Sequence, residues 1–532
     1  MESPQDEGSA ALPVQGPDGE GDSLLLKSAI SSVTSGTIIT MMGTIGFLIL
    51  SLAWRLLIVR LITVEQWGEM SIAFALIALI TSLAPLGVQA AVARGISYER
   101  EEDQRGIVYS GMLVTAASGL AFTAAFYLLA STVAGVFRDP QLIPVIQILS
   151  PSIFLAMIIG TVSSVFQGYQ NTFPYAVFVN ILPNVLSIGL ALFFYYLGLG
   201  FMGILYSAVL NSVLVAIILL PYSRSRLKRY LRPGPRKMKV KMLIAFGLPL
   251  VIVTSLNSLM AYADTLFLGF FRNETLVGFY SAGITLGRIV SFSVSALSFI
   301  FLPVASQLYA AKRHRDLERT YSTATKWALV TSVPLLVIFT LYPGQSLALT
   351  FGEPYRVAST VLEIRAIGIF ITSLFGPEGA ALVAFGRTRL LAMNSTISVS
   401  ANIVASLTLI PAYGMDGGAI ASVIGAITFS SLSLVQVAYY YKLHPFNRMY
   451  IKSLIASLAG SFIILIPLGL NPSLLDLPFI FLGLALFSAV CILVTKSVDR
   501  TDVLLLEVAE GIIGRRLSRM RRLGTMLVGR TR

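Results

Sequence analysis

Apolar runs broken by short polar connections recur along almost the whole chain after residue 27. Each run is long enough to cross the roughly 30 Å hydrocarbon core of a bilayer as a helix. The pattern therefore predicts an all-α polytopic membrane protein. We predict about fourteen helices, over residues 32–61, 70–94, 106–135, 141–167, 174–197, 201–222, 241–271, 278–310, 323–343, 357–385, 390–410, 417–441, 450–469 and 478–496.

The composition agrees with a membrane protein and excludes soluble enzymes, coiled coils and disordered proteins. Of 532 residues, 55% are apolar and 12% are charged, whereas a soluble chain carries about 25% charged residues. The single cysteine, Cys491, lies in an apolar run, and no HExxH, CxxC or Walker motif occurs. We therefore expect no enzymatic activity, no cofactor, no metal site and no nucleic-acid partner. Energy for any transport must come from a gradient.

The basic residues lie mainly on one side of the predicted helices. Threaded alternately, the connections on the side of the amino terminus carry nine Lys or Arg residues between positions 224 and 241 alone. The opposite side carries only four, one in each of four connections, at Arg60, Arg138, Arg272 and Arg356. Since Lys and Arg mark cytoplasmic connections, we predict that both termini are cytoplasmic and that the protein lies in the cell membrane.

Three pairs of short segments recur in the same order along the chain. GEMS at 68–71 resembles GFYS at 278–281, an offset of 210 residues, and GFMG at 200–203 resembles GMDG at 414–417. Between them, Gly168 and Asn184 align with Gly386 and Asn402. We predict two six-helix bundles, at 28–222 and 241–441. An even number of helices gives both the same orientation, so their pseudo-twofold axis runs along the membrane normal.

The remaining segments are predicted as two extra helices and three polar regions. Residues 442–496 hold helices 13 and 14. Residues 1–27 are acidic and rich in Gly, Pro and Ser, and are predicted to be disordered. The basic linker 223–240 either fixes topology or attracts anionic lipid or pyrophosphate groups. Residues 497–532 form a basic amphipathic tail that lies on the inner leaflet.

Ionisable residues inside apolar helices are costly enough to suggest a function. Asp264 and Arg288 lie at similar depth on neighbouring helices, so they either pair or both line a central cavity, with Asp264 coupling to an ion and Arg288 binding an anion. Arg55 occupies the other bundle near the same axis, or its side chain extends to the outer surface. Glu363 and Arg365 lie two residues apart and cannot share a helix face.

Helix 10 contains the segment GPEG at residues 376–379, where proline and glycine predict a break. Glu378 in that break either belongs to a transport or ion-coupling site or pairs with a neighbour such as Arg387. Asn180 and Asn257 lie within helices, where they either bind sugar hydroxyls or connect helices by hydrogen bonds.

Several motifs resemble those of polysaccharide and oligosaccharide flippases, a branch of the multidrug/oligosaccharidyl-lipid/polysaccharide exporter superfamily. The resemblance covers nearly the whole of residues 30–496 and implies two six-helix bundles in a V shape. The motifs are DTLFLG at 264–269, VGFYSA at 277–282, RLIT at 60–63, WG at 67–68, FGEPY at 351–355 and LIPAYGMDGGA at 409–419.

By this resemblance, the protein is expected to flip a lipid-linked oligosaccharide by alternating access, for cell-surface polysaccharide or glycoprotein synthesis. Its partners would be that lipid, the membrane lipids, and a glycan polymerase or glycosyltransferases. Arg55 and Arg288 would contact phosphate or acidic sugars. Two alternatives stay open: a cation-coupled multidrug exporter, which should favour acidic residues in its cavity, and a non-transporting scaffold of a glycan assembly complex.

Overall fold

The computed structural model describes residues 43–44, 46–230, 238–446 and 448–465, together with positions 476, 480, 482–484 and 486. All regular secondary structure in these residues is helical, so the predicted all-α fold is confirmed. The predicted tails at 1–27 and 497–532, most of residues 466–496, and linker residues 231–237 lie outside the described residues.

The helices before the linker are called the first set here. They are α1 (residues 46–61), α2 (Val64–Leu83), α3 (Val88–Tyr98), α4 (Glu101–Leu128), α5 (Ala130–Phe137), α6 (Leu142–Leu149), α7 (Pro151–Gly168), α8 (Phe173–Tyr175), α9 (Leu182–Phe194) and α10 (Gly200–Tyr230). Two π-helical turns, Ala176–Ile181 and Tyr195–Leu199, flank α9.

The helices after the linker up to residue 441 are called the second set. They are α11 (Val240–Phe271), α12 (Glu274–Ala310), α13 (His314–Leu341), α14 (Pro343–Phe351), a 3₁₀ turn (Glu353–Ala358), α15 (Ser359–Ser373), α16 (Glu378–Ala384) and α17 (Thr388–Tyr441). One further helix, α18 (Arg448–Leu465), follows the second set.

Seven helical stretches among the described residues are long and apolar enough to cross a membrane, or eight if the bent pair Glu353–Ser373 and Glu378–Ala384 is one span. Two of the seven, Phe173–Leu227 and Thr388–Tyr441, contain 55 and 54 residues. A straight helix of that length would extend about 80 Å, far more than a bilayer requires. The predicted number of fourteen helices stays a prediction, because the last predicted span lies largely outside the described residues.

Each of these two long stretches is interrupted at a glycine. Gly200 has φ 53° and ψ −135°, and Gly414 has φ 59° and ψ −129°. This backbone conformation is open to glycine and strained for other residues. A β-carbon on Gly417 would lie 2.2 Å from the carbonyl oxygen of Leu409, so the chain turns sharply there. The GFMG and GMDG segments of the sequence repeat thus form matching breaks.

The two sets meet where α2 packs against α12, and this contact begins at the helix caps. The Thr63 side chain caps α2 by accepting from the Gln66 N–H at 3.2 Å, and the Asn273 side chain caps α12 by accepting from the Leu276 N–H at 3.0 Å. Thr63 and Asn273 are 210 residues apart, so the caps fix α2 and α12 in equivalent register. The Thr63 cap is a full capping box, because its N–H also donates to the Gln66 side chain.

The contact between α2 and α12, called the cap seam here, is reciprocal. A β-carbon on Gly68 would lie 1.8 Å from the carbonyl oxygen of Glu274, and one on Gly278 would lie 2.2 Å from that of Val64. Val64 and Glu274 are also equivalent under the 210-residue offset. Each glycine therefore contacts the backbone of the other helix at the equivalent residue. Such exchange is what a local pseudo-twofold axis between the two helices produces.

A second contact between the sets, called the linker seam, lies where α11 begins. Gly87, with φ 68°, and Gly247 touch backbone to backbone, because a β-carbon on Gly87 would lie 2.1 Å from the Gly247 carbonyl oxygen. Beside them, the Lys239 ammonium binds Asp103 at 3.1 Å and Glu99 at 3.7 Å. The hydrogen bond to Asp103 raises the pKa of Lys239. The end of the linker is thereby tied to the first set.

Replacing Gly68 with alanine is expected to destabilise the protein, because the new methyl group would overlap the Glu274 carbonyl and force α2 away from α12. The matched control is Gly189→Ala in α9, where nothing lies within 4 Å of the added β-carbon. Alanine there should raise helix stability by up to about 1 kcal/mol. Thermal unfolding in detergent measures both variants, and equal melting temperatures for the two would contradict the seam.

Candidate functional site

A cavity of about 380 Å³ lies between the two sets, at the junction of α1, α2, α7 and α10 with α11 and α12. Its wall comprises Trp54, Arg55, Trp67, Ser71, Phe74, Ile77, Ala78, Thr81, Ser152, Ala156, Ser212, Tyr262, Thr265, Ser281, Ile284, Thr285 and Arg288. This wall contains both arginines that the sequence analysis singled out for anion binding, one from each set.

The cavity lies on the pseudo-twofold axis. Four pairs of its lining residues are related by the 210-residue offset, namely Arg55 with Thr265, Ser71 with Ser281, Phe74 with Ile284, and Ala78 with Arg288. The hydroxyl groups of one pair meet directly, with Ser71 Oγ 3.0 Å from Ser281 Oγ. The two arginines break the symmetry, because the residue equivalent to each of them in the other set is uncharged.

Neither arginine pairs with a carboxylate among the residues that the structure describes. Arg55 Nη1 donates to Thr285 Oγ1 at 3.3 Å, and that hydroxyl donates its own hydrogen to the Ser281 carbonyl at 2.7 Å. Within the described chain, no Asp or Glu lines this cavity and no ion pair involves Arg55 or Arg288. Because both guanidinium groups are positive and line one cavity, they repel each other. Two like charges thus share one partly buried space.

Asp264 belongs to a neighbouring buried network rather than to the cavity wall. It is 3% exposed, its carboxylate accepts from the Tyr280 hydroxyl, and it also accepts from the Thr265 N–H at 2.9 Å. The positive charges of Arg365 and Arg288 both attract this carboxylate. Among the described ion pairs, none joins Asp264 to Arg288, so the direct pairing considered from the sequence is not formed. Ion coupling at Asp264 stays a prediction.

Arg365 completes this network from α15. Its Nη1 donates to the Ser422 hydroxyl of α17 at 2.6 Å, while its Nε is buried without a hydrogen-bond partner in the described chain. Because Glu363 and Arg365 cannot share a helix face, at least one of them needs a partner on another helix, and Ser422 is that partner for Arg365. Tyr280 was not singled out from the sequence, although it lies inside the GFYS repeat.

Glu378 lies at the predicted break in helix 10, where α15 and α16 meet at 41°. It is 6% exposed, and its carboxyl group interacts with the Ser430 hydroxyl of α17. The pairing with Arg387 is not formed, because Arg387 Nε donates to the Tyr441 hydroxyl at 2.9 Å. A role for Glu378 in ion coupling stays a prediction.

The two asparagines lie away from the central cavity. Asn257 lines a smaller cavity of about 290 Å³ within the second set, which Ser430 also lines. Asn180 is 9% exposed in the first π-helical turn, where its backbone carbonyl accepts from the side-chain amide of Asn184 at 2.7 Å. The structure therefore brings Arg55 and Arg288 together, places Asn257 near Ser430 and Glu378, and leaves Asn180 apart from both groups.

Aromatic side chains of the first set complete the central wall. The rings of Trp54 and Phe74 lie 5.9 Å apart, and those of Trp54 and Trp67 lie 6.5 Å apart. The sequence offered one signal for them, the Trp67–Gly68 pair in a family motif. Spacing alone does not show that Trp54 reaches the same space, because Trp54 lies on another helix.

Residues 57–360 match a family of proteins described as polysaccharide biosynthesis proteins. The matched region runs from α1 into α15 and contains most of the central wall, and it covers more than half of the chain. The chain belongs to the polysaccharide biosynthesis protein family.

Two curated relatives differ in what their names say. A probable multidrug resistance protein NorM of Oceanobacillus iheyensis is 26% identical over 273 residues, which are 49% of this chain and 58% of the relative. A probable low-salt glycan biosynthesis flippase, Agl15 of Haloferax volcanii, is 23% identical over 179 residues, which are 34% of this chain and 37% of the relative. The chain thus spans only about half the length of these relatives.

A solved structure shows the same fold. The lipid II flippase MurJ in an inward closed conformation superposes with a TM-score of 0.71 at 15% sequence identity. The match covers 86% of this chain and 99% of that structure. The polytopic membrane fold predicted from the sequence is therefore confirmed.

The 3.0 Å contact between Ser71 and Ser281 makes a test of the cavity's position on the axis. With Cys491 replaced by serine, a Ser71→Cys/Ser281→Cys double variant should form an intramolecular disulfide under mild oxidation, because the two side chains already touch. Both thiols should then resist maleimide labelling together, and reduction should restore labelling. Each single variant is the control, and unchanged labelling of the oxidised double variant would contradict the contact.

Proposed function

We propose that the protein flips a lipid-linked oligosaccharide with an anionic head group across the cytoplasmic membrane by alternating access. The observation that carries the proposal is the pair Arg55 and Arg288, contributed by opposite sets to one cavity whose described wall contains no carboxylate. Membership of a polysaccharide biosynthesis family supports a substrate of this class.

The charge arrangement favours a phosphate-bearing ligand. An arginine inside a membrane protein is costly unless it meets water or a negative partner, and two facing arginines add repulsion. A diphosphate relieves both costs, because each guanidinium offers a planar fork that matches phosphate oxygens. The Thr265 and Ser281 hydroxyls in the same wall can donate to the remaining oxygens.

The two seams suggest how access could alternate. The cap seam consists of glycine-to-backbone contacts and one serine pair, so it can separate without breaking a described ion pair. The linker seam adds the Lys239 clamp to its glycine contact. In our proposal, the head group enters from the cytoplasm past the linker seam and leaves through the cap seam, while the lipid chain stays in the bilayer.

The predicted topology assigns these seams to their sides. The basic linker places the linker seam and both termini in the cytoplasm, and the α1–α2 and α11–α12 connections then face outward. A glycan polymerase and glycosyltransferases would supply or consume the substrate. These assignments are part of the proposal and rest on the distribution of Lys and Arg.

A drug exporter is the second candidate, because a NorM relative matches the chain. Exporters of cationic drugs need negative charge in the binding cavity. The described wall offers only positive charge at Arg55 and Arg288, which favours the flippase. A non-transporting scaffold would differ from both by moving no labelled glycolipid in reconstituted vesicles.

Neutralising Arg288 should abolish most flipping without impairing membrane insertion. Removing one member of a buried charge–ligand pair costs about 2 kcal/mol or more, which corresponds to about thirtyfold weaker binding. The matched control is Arg356→Ala, because Arg356 is exposed and pairs with Glu353 at 2.6 Å outside the cavity. Flipping of a fluorescent lipid-linked glycan in proteoliposomes measures both variants. Wild-type rates for Arg288→Ala would overturn the proposal.

The pseudo-symmetry offers a rescue experiment. Ala78 occupies the position equivalent to Arg288 and lines the same cavity. Adding Ala78→Arg to the Arg288→Ala variant should recover part of the lost flipping, because it restores a guanidinium group to the cavity from the equivalent position in the first set. Addition of Ala78→Gln is the uncharged control. Equal activity of the arginine and glutamine variants would show that cavity charge does not determine transport.

A further inference from the structure

Three aromatic side chains from the first set, called the aromatic side here, lie together in the wall of the central cavity. They are Trp54, Trp67 and Phe74, and hydroxyl groups from both sets line the rest of the wall together with Tyr262 of the second set. The aromatic side is not a consequence of the repeat, because the residues equivalent to the three aromatics at the 210-residue offset are Asp264, Val277 and Ile284.

Trp67 has an unused hydrogen-bond donor in the aromatic side. The residue is 1% exposed, and its indole Nε1 has no hydrogen-bond partner among the described residues. A buried tryptophan N–H ordinarily finds an acceptor. An unpartnered donor in the wall of a ligand cavity is therefore available to an oxygen atom of the ligand.

The aromatic surface beside this donor suits a sugar ring. A pyranose presents apolar C–H groups on its face and oxygen acceptors on its edge, so it can pack on Trp54 while an edge oxygen accepts from Trp67. Trp54 is half-buried and lies 6.5 Å from Trp67 between ring centroids. A hydrocarbon lipid chain would fit the rings but would leave the N–H without an acceptor.

We propose that Trp67 and Trp54 form a subsite for the sugar attached to the diphosphate, with the Trp67 N–H donating to an oxygen of that sugar. The inference rests on the proposed function of the cavity and adds a specificity determinant to it. Arg55 and Arg288 hold the diphosphate, and the tryptophan pair distinguishes a glycosylated lipid from the bare lipid diphosphate.

The test compares two ligands of known structure on the full-length protein in nanodiscs. One is a polyprenyl diphosphate, and the other is the same lipid bearing one N-acetylglucosamine. The wild type should bind the glycosylated lipid about fivefold more tightly, the ratio expected of one satisfied hydrogen bond. Trp67→Phe keeps an aromatic ring but removes the N–H, so it should bring that ratio close to one.

Two further variants separate the sugar subsite from the proposed function. Arg288→Ala should weaken binding of both lipids, whereas Trp327→Phe in α13, the same substitution outside the cavity wall, should change neither. An unaltered affinity of Arg288→Ala for both lipids would overturn the flippase proposal itself. If Arg288→Ala weakens the binding of both lipids, the flippase proposal stands and the sugar subsite is judged separately. The subsite alone is overturned if the wild type binds both lipids equally. It is also overturned if Trp67→Phe leaves the affinity ratio of the two lipids unchanged, which includes an equal loss of affinity for both.

Discussion

Two positive charges share a partly buried cavity without a negative partner in the described wall, and the proposed mechanism depends on that constraint. In a low-dielectric interior two like charges repel each other, and the hydrogen bond from Arg55 to one threonine hydroxyl compensates little of that repulsion. An anionic ligand removes the repulsion and supplies the missing acceptors. In the proposed mechanism, the free energy lost through this repulsion is recovered when a phosphate group binds.

The repeat explains how such a cavity arises. The caps at Thr63 and Asn273 set α2 and α12 in equivalent register, and glycines at Gly68 and Gly278 let the two backbones touch. The central cavity beside this contact is lined by equivalent positions from both sets. The equivalence fails at the arginines and the aromatics, which occupy positions held by other kinds of residue in the opposite set. In the proposal, these are the positions that bind the ligand. The cap seam contains no ion pair among the described residues, whereas Lys239 binds Asp103 and Glu99 at the linker seam.

The positions and depths of the helices can be predicted from the sequence, but the rotation of each helix about its own axis cannot. Hydropathy and the 210-residue offset predict the helices and place Arg55 and Arg288 near a common axis, since depth and repeat position follow from residue spacing. The partners of Asp264 depend on how α11, α12 and α15 rotate about their own axes, which spacing does not determine. The same limit applies to Asn257, whose cavity is set by the packing of α11 against α17. The sequence separates predicted helices 390–410 and 417–441 at the segment that contains Gly414, where the structure has one helical stretch with a sharp turn.

The most direct test of the central claim is a cryo-electron microscopy structure of the full-length protein with a polyprenyl diphosphate in lipid nanodiscs. The account predicts phosphate density between the two sets, within hydrogen-bond distance of the guanidinium groups of both Arg55 and Arg288. Head-group density elsewhere, or guanidinium groups that extend to the membrane surface while the cavity stays empty of phosphate, would contradict it.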